Sequence, residues 1–213
     1  MRLTKYEHAC FTVEKNGKML IVDPGIFTTD LIINDHVSAI VITHEHPDHF
    51  DPKLIDEIAS KNPELIIFAH ETITNQLNNK HSHKAVSTNT QVDHDEFNLK
   101  FFGGEHAIIH PDIPRIANLG VMINDAIYYP GDSFVEPNVP VKVLALPVGA
   151  PWLKASEMLD FLLKIKPQIV FPTHDAVLSD LGKSLPDRYV PMFADKVGGT
   201  YNKLTEPLEI TES

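Results

Sequence analysis

The feature that most restricts how this chain can fold is a short segment, HEHPDH at residues 44–49, in which four of the six side chains are candidate metal ligands. It directly follows residues 38–43, an apolar and β-branched run whose length of six is typical of a buried strand. In an extended chain, side chains two positions apart point the same way, so His44 and His46 can approach one ion. The aspartate and histidine beyond the proline can turn toward a second ion.

This segment does not fit the helical zinc-protease motif, in which two histidines four residues apart share one face of a helix. The residue four positions after His44 is Asp48, and Pro47 would interrupt such a helix. Asp51-Pro52, by contrast, is typical of a helix start, with an aspartate cap followed by proline in the first turn. The segment is therefore predicted to be a loop that joins a strand to a helix.

The composition restricts the kind of metal site that the chain can build. The 213 residues include 12 histidines but a single cysteine. One cysteine can form neither an internal disulfide nor a zinc site made of several thiolates. Any metal must therefore be bound by histidine and carboxylate side chains.

The charge and hydropathy patterns bear on partners and location. The chain has 18 Lys and Arg residues against 29 Asp and Glu residues, and extended nucleic-acid binding, which depends on many phosphate contacts, is not expected. Residues 1–20 lack a basic run followed by an apolar one, and no window approaches the roughly 18 apolar residues of a membrane span. We expect a cytoplasmic location without a membrane partner. The sequence does not predict an oligomeric state.

The order of the predicted elements indicates an α/β fold. Asn16-Gly17 predicts a hairpin near the start, and later segments alternate between strand and helix patterns. The predicted strands are 10–13, 19–22, 38–43, 65–69, 96–102, 105–110, 117–123, 126–129, 143–146, 168–171 and 207–210, and the predicted helices follow residue 51 and cover 71–78, 156–165 and 187–196. The polar segment 78–95 is interpreted as a surface excursion. Since no repeat or flexible linker divides the chain, residues 1–213 are predicted to form one domain.

The pattern His44-x-His46-x-Asp48-His49 after an apolar strand resembles the metallo-β-lactamase-fold superfamily of metal-dependent hydrolases. Matching segments lie along nearly the whole chain in the family's order: Ile21–Gly25, Gly104-Glu105-His106, Tyr129–Ser133 and Phe171–His174. Each is weak alone, and their joint order is specific. The resemblance implies a four-layer αββα sandwich of two mixed β-sheets flanked by helices. It also implies hydrolysis, because the family's di-iron reductases carry an acidic residue at the position of His46.

The resemblance further implies two divalent ions. One ion would bind His44, His46 and His106, the second would bind Asp48, His49 and His174, and Asp132 would bridge them. Imidazole and carboxylate donors suit zinc first, and manganese or iron as well. A hydroxide between the ions would attack the substrate, and Asp48 would be the catalytic residue that orients it.

Substrate class is predicted only broadly. The relatives that process tRNA or act as glyoxalases usually carry an added arm or helical segment, whereas only about 39 residues follow His174 here. A small-molecule substrate is therefore expected. Two carboxylates facing two dications leave the site positive, so an anionic ester, lactone or phosphodiester can be drawn in.

Three further residues are candidates for contacts with the substrate or with the ligands. His8 lies in a segment similar to the Gly-His-Ser-like start of a simpler hydrolase branch, although Glu7 replaces the glycine. His110 and Arg115 belong to a proline-flanked loop, 110–115, that can overhang the metals or can be a plain surface loop. If the loop is functional, the planar fork of Arg115 suits a carboxylate or phosphate.

Two other interpretations stay open. The chain can be a metal-binding protein without catalytic activity, since ligands alone do not establish turnover. It can also be a nuclease of the same fold, which a basic groove beside the site would support.

Overall fold

The computed structural model describes residues 1–77 and 80–211, which form two mixed sheets of seven strands each and four helices. The strands are β1 (Arg2–Lys5), β2 (Phe11–Lys15), β3 (Lys18–Val22), β4 (Val37–Ile42), β5 (Ile66–Ala69), β6 (His83–Ala85), β7 (Gln91–His94), β8 (Phe97–Gly103), β9 (Leu119–Ile123), β10 (Ile127–Tyr129), β11 (Val143–Pro147), β12 (Ile169–Thr173), β13 (Thr200–Tyr201) and β14 (Leu208–Glu209). The helices are α1 (Pro52–Lys61), α2 (Glu71–Thr74), α3 (Ala155–Ile165) and α4 (Asp180–Lys196). None of these helices is both long and apolar enough to cross a membrane.

The two sheets are built on the same plan. The first has the order β14-β1-β2-β3-β4-β5-β6, antiparallel up to β3 and parallel from β3 onward. The second has the order β13-β12-β11-β10-β9-β8-β7, antiparallel from β7 to β10 and parallel from β10 onward. The predicted hairpin joins β2 to β3, with Asn16 and Gly17 both at positive φ as its turn requires.

The alternation of side chains along the strands creates the layers. In β4, Ala39 and Val41 face the core between the sheets, whereas Ile40 and Ile42 pack with α1. The same division holds in the second sheet, where the outward side chains of β11 pack with α3 and α4. Aromatic rings fill the centre, where Phe11 meets Tyr129 and Phe171 at centroid distances of 5.7 Å. The predicted αββα sandwich is confirmed.

Some predicted elements were wrong. Residues 105–110 are not a strand, because their backbone bonds to loops: His106 N donates to the Ile116 carbonyl and Ala107 N donates to the Asp132 carbonyl. The segment 78–95, interpreted as a surface excursion, contributes the edge strands β6 and β7. The last helix, predicted over 187–196, begins at residue 180 with Ser179 as its cap and accommodates Pro186 inside it. The helix predicted over 71–78 is the single turn α2, and residue 78 lies outside the described part of the chain.

Candidate metal centre

The predicted ligands meet at one edge of the sandwich. The loop 44–49 follows β4, and His106, Asp132 and His174 follow β8, β10 and β12 within three residues of the strand ends. These last three strands run in the same direction, since β9 is antiparallel to both β8 and β10, and β10, β11 and β12 are parallel. Their loops therefore emerge at one edge, where the amide of Leu119 bonds to the carbonyl of Thr43 and ties the two sheets together.

Asp132 lies at the centre of the cluster. Its Oδ2 is 3.0 Å from His174 Nε2, 3.4 Å from His106 Nε2 and 4.0 Å from His44 Nε2. Its Oδ1 is 3.4 Å from His49 Nε2. All five of these residues are buried. Four imidazoles thus converge on one carboxylate.

The remaining predicted ligands complete two groups. The side-chain donors of His44, His46 and His106 lie within 4.8 Å of one another, and so do those of His8, Asp48, His49 and His174. Asp48 Oδ2 is 3.3 Å from His174 Nε2 and 3.7 Å from His49 Nε2. The structure therefore brings together every residue predicted as a ligand, and a third group within the same distance, Asp23 with His44 and His49, takes one histidine from each of these two sets.

The rings of four histidines are oriented by the protein through Nδ1. Nδ1 of His44 lies 3.1 Å from Thr43 Oγ1, and Nδ1 of His49 lies 2.6 Å from Asp23 Oδ2. Nδ1 of His106 lies 2.6 Å from the Ala107 carbonyl, and Nδ1 of His174 lies 2.5 Å from the Gly149 carbonyl. Carbonyl and carboxylate oxygens only accept, and Thr43 Oγ1 already donates to Asp23, so each Nδ1 carries the proton that it donates. Nε2 is then left with its lone pair toward the centre.

The inward atoms lack hydrogen bonds. Among the described residues, Nε2 of His44, His49, His106 and His174 and Oδ1 of Asp132 are buried without a hydrogen-bond partner. Leaving such an atom unpaired costs about 1–3 kcal/mol. A histidine that ligates a metal through one nitrogen usually donates its other ring N–H to a carboxylate or carbonyl, which is the arrangement found here. The donor set and its orientation fit divalent cations.

The electrostatics of the cluster favour a cation. Burial lowers the pKa of His44 well below its ordinary value and lowers the pKa of His49 to about 3. Burial opposes ionisation of Asp132, but the surrounding imidazoles outweigh it and hold the pKa of this carboxyl well below its usual range. Burial opposes ionisation of Asp48 as well, but its contacts with His174 and His8 outweigh it and hold the pKa of this carboxyl well below its usual range. The two carboxylates are thus ionised and attract positive charge.

His8 holds Asp48 in place. Its Nδ1 accepts a hydrogen bond from the Ala176 amide at 3.2 Å, so the proton is on Nε2, which lies 3.0 Å from Asp48 Oδ2. The His8 carbonyl accepts the amide of His174 at 2.9 Å, and both residues have φ of 61°. His8 therefore donates to the carboxylate and has no lone pair directed toward the centre.

In the loop 110–115, the Arg115 side chain bonds to the backbone of His106, whereas His110 bonds within the loop. His110 is exposed, and its Nδ1 accepts the Asp112 amide. Arg115 donates from Nε to the His106 carbonyl at 2.9 Å and pairs with Glu105 Oε2 at 2.6 Å. Arg115 thus supports the loop that carries His106, while its predicted contact with a substrate anion stays a prediction.

Other residues that support the centre had no role in the sequence prediction. Asp23 accepts hydrogen bonds from the amide and hydroxyl of Thr43 as well as from His49. Trp152 donates from Nε1 to Asp132 Oδ2 at 2.9 Å. Asn118 Oδ1 accepts the Asp132 amide at 2.9 Å. Only Asp23 had a signal in the sequence, because it ends the strand before the motif.

Close backbone packing fixes the loop 44–49. A Cβ added to Gly25 would overlap the carbonyl of Asp48, and Ile26 N donates to the Pro47 carbonyl at 2.9 Å. The segment after β3 therefore lies directly against the loop that carries four of the predicted ligands.

The chain is similar to known proteins over most of its length. A family model described as the beta-lactamase superfamily domain matches residues 2–174. Protein Rv0786c of Mycobacterium tuberculosis is 34% identical over 184 residues, which cover 84% of this chain and 86% of the relative. A UPF0173 metal-dependent hydrolase of Anoxybacillus flavithermus is 38% identical over 78 residues, or 35% of this chain and 34% of the relative. Igni18, a metallo hydrolase of the archaeon Ignicoccus hospitalis, has a similar fold, with a TM-score of 0.74 at 18% identity over 99% of both chains.

Proposed function

This chain belongs to the beta-lactamase superfamily domain family, and on that premise we propose that it is a metal-dependent hydrolase that uses two divalent ions to cleave a small ester, lactone or phosphodiester. The name of the UPF0173 relative supports metal-dependent hydrolysis. The two-ion site and the substrate class are inferences from the residues of the centre.

One observation carries the proposal. Four imidazole Nε2 atoms and one carboxylate oxygen face a common point inside the protein without hydrogen-bond partners among the described residues. Meanwhile the opposite side of each ring is held by a neighbouring oxygen. At about 1–3 kcal/mol for each unpaired atom, a purely structural cluster of this kind would be strongly destabilising. Cations bound at this point would remove that cost.

The donors divide between two ions. We assign the first ion to His44, His46 and His106 and the second to Asp48, His49 and His174. The two groups with donors within 4.8 Å support this division. Asp132 would hold both ions, because its two oxygens face histidines of both groups. Nitrogen and oxygen donors make zinc the first choice, and manganese or iron also suit the site.

When bound, the two ions would lower the pKa of water toward neutrality and polarise the bond under attack. The protein's own contribution would centre on Asp48, whose side chain is 22% exposed and so lies at both the centre and its opening. Asp48 would orient the attacking water and accept its proton, while the hydrogen bond from His8 fixes the carboxylate. As the water oxygen bonds to the carbonyl carbon or phosphorus, the bond to the leaving oxygen breaks, and Asp48 returns the proton to that oxygen.

The test joins metal content to activity. The full chain is loaded with zinc, freed of excess metal, analysed for zinc per chain, and assayed on a chromogenic phosphodiester, a lactone and esters. We expect about two zinc ions per chain and turnover that chelation abolishes. Asp48→Asn should lower turnover at least about 100-fold and should also weaken zinc binding at the second ion, because it replaces one of the assigned ligands, whereas Asp56→Asn, on α1, should match the unmodified protein.

Other results would point elsewhere. Metal binding without turnover on any substrate would favour the non-catalytic metal-binding protein. Cleavage confined to nucleic acid would favour the nuclease. Turnover that survives complete removal of metal would contradict the proposal itself.

A further inference from the structure

The centre opens to solvent at two of its predicted ligands. Five of the seven are buried, whereas His46 is half-buried and Asp48 keeps 22% of its side chain exposed. A substrate must therefore approach past His46 and Asp48. The side chains beside these two residues decide what kind of molecule can rest there.

One side of the opening is apolar. Ile26, which bonds through its amide to the Pro47 carbonyl, is 55% exposed. Phe27 is 38% exposed, and its ring lies edge-on to the His8 ring at 5.1 Å. Since His8 donates to Asp48, Phe27 is two contacts away from the carboxylate at the opening.

A second segment beside the opening is apolar as well. The His106 ring lies 4.8 Å from the His46 ring, and residues 107–113 form the loop that follows directly from His106. In this loop Ile108 is 56% exposed and Ile109 is 38% exposed, with Ile113 exposed a few residues later. Large aliphatic side chains gathered on a surface loop mark a binding surface more often than scattered single ones do.

Two cations on the segments that carry His106 and His8 are already paired. On the segment that carries His106, Arg115 pairs with Glu105 at 2.6 Å. On the segment that carries His8, Lys5 pairs with Asp175 at 3.3 Å, and both side chains are largely buried. The walls therefore offer hydrocarbon to a substrate, and these two cations are engaged elsewhere.

We infer that the substrate carries an uncharged hydrocarbon group next to the bond that is cleaved, and that Ile26, Phe27, Ile108 and Ile109 hold this group. The inference rests on the proposed hydrolase function and narrows its substrate class to an ester, lactone or related acyl compound with an apolar chain. Full burial of one methylene is worth a factor of about four in affinity, so partial burial of six methylenes should give at least about a tenfold preference.

The experiment measures chain-length preference by binding and by turnover. Alkyl hydroxamates bind metal ions through the same head group whatever their chain, so acetohydroxamate and octanohydroxamate are titrated into the zinc-loaded protein by calorimetry. In parallel, kcat/KM is measured for 4-nitrophenyl acetate and octanoate. The variant Ile26→Ser/Ile108→Ser changes one exposed residue in each of the two apolar segments. Val139→Ser is the matched control, because Val139 is 40% exposed and lies shortly before the start of β11, at the opposite end of that strand from the centre.

We expect the octanoyl compound to be preferred at least about tenfold in both assays, by the protein and by the Val139→Ser control. In the double variant the preference should fall to about threefold or less. Equal preference in the double variant and the protein, or no preference at all, would overturn the inference. Ester turnover without chain preference would refute the hydrocarbon contact but would not contradict the hydrolase function. Chain-dependent hydroxamate binding without turnover would support the hydrocarbon contact and contradict the hydrolase function.

Discussion

Replacing Asp23 with asparagine changes a buried acceptor into a donor while almost preserving the shape of the side chain. Oδ1 of Asp23 accepts the Thr43 amide at 2.7 Å, and Oδ2 accepts both the Thr43 hydroxyl and His49 Nδ1 at 2.6 Å. In the variant, the Thr43 amide N–H still needs an acceptor, so the side-chain oxygen of the asparagine takes the place of Oδ1. The NH₂ group then takes the place of Oδ2 and faces His49 and the Thr43 hydroxyl. His49 Nδ1 must then accept, and its proton moves to Nε2, where it blocks the lone pair that points at the centre.

The same change reaches the other group of ligands. Once the Thr43 hydroxyl accepts from the new NH₂ group, its own hydrogen turns to His44 Nδ1, so His44 also carries its proton on Nε2. Losing the oriented partner of a metal-binding histidine typically costs 10–100-fold in metal affinity. Because His44 and His49 belong to different groups, both ions should bind about 10–100-fold more weakly, or about 1.4–2.7 kcal/mol each.

The assay is competition for zinc between the protein and a chromogenic chelator of known affinity, with circular dichroism to confirm the native fold. Asp56→Asn serves as the control, because Asp56 bonds to Lys80 and His81 far from the centre. Thr43→Val removes the partner of His44 and one donor to Asp23, but leaves the Asp23 carboxylate to accept from His49, so it should weaken chiefly the ion that His44 binds. A folded Asp23→Asn protein that binds two zinc ions as tightly as the unmodified protein would refute this account of how the rings are oriented.

Four further predictions follow from the same contacts. Chelation should lower the melting temperature by about 10–20 °C, because saturation at 100 times the dissociation constant stabilises by about 2.7 kcal/mol at each of the two sites, and an unchanged value would argue against structural coupling of the ions. His8→Ala should lower kcat/KM about 10–100-fold with zinc retained, and His8→Gln should restore part of it by donating to Asp48; loss of zinc in step with activity would contradict this. The fluorescence of Trp152, the single tryptophan, should change on zinc binding because its indole donates to Asp132, and a silent titration would count against that contact. Burial raises the pKa of Cys10 to about 12, so at pH 8 only about one thiol in 10⁴ is ionised and a thiol reagent should label the native protein far more slowly than the denatured one; rapid native labelling would disprove the burial.

The parts of the centre that the sequence predicts lie in segments with a recognisable motif. The loop 44–49 is predicted from the spacing of its ligands after an apolar strand. His106, Asp132 and His174 follow strand ends in the order that the family resemblance implies. The sandwich is implied by the same resemblance. The signal of the loop lies within about ten residues of the chain, whereas the other three ligands and the sandwich are implied by matching segments along nearly the whole chain.

The parts that the sequence does not predict depend on contacts between distant segments. Asp23 and His49 are 26 residues apart, and Trp152 lies 20 residues from Asp132, so neither hydrogen bond has a local pattern. The segment 105–110 has the composition of a strand, yet its isoleucines are exposed because its backbone is bonded to the neighbouring loops. The failed strand prediction thus fell on the loop that we infer to meet the substrate, which agrees with the general rule that functional segments depart from local preference.

The central claim is that two divalent ions are held by the seven predicted ligands. Anomalous diffraction at the zinc absorption edge, from crystals of the zinc-loaded full chain, tests it directly. We expect two peaks, one at about 2.0–2.1 Å from Nε2 of His44 and His106, and one at the same distance from Nε2 of His49 and His174, with Asp132 between them. A single peak, or zinc bound away from Asp132, would contradict the claim.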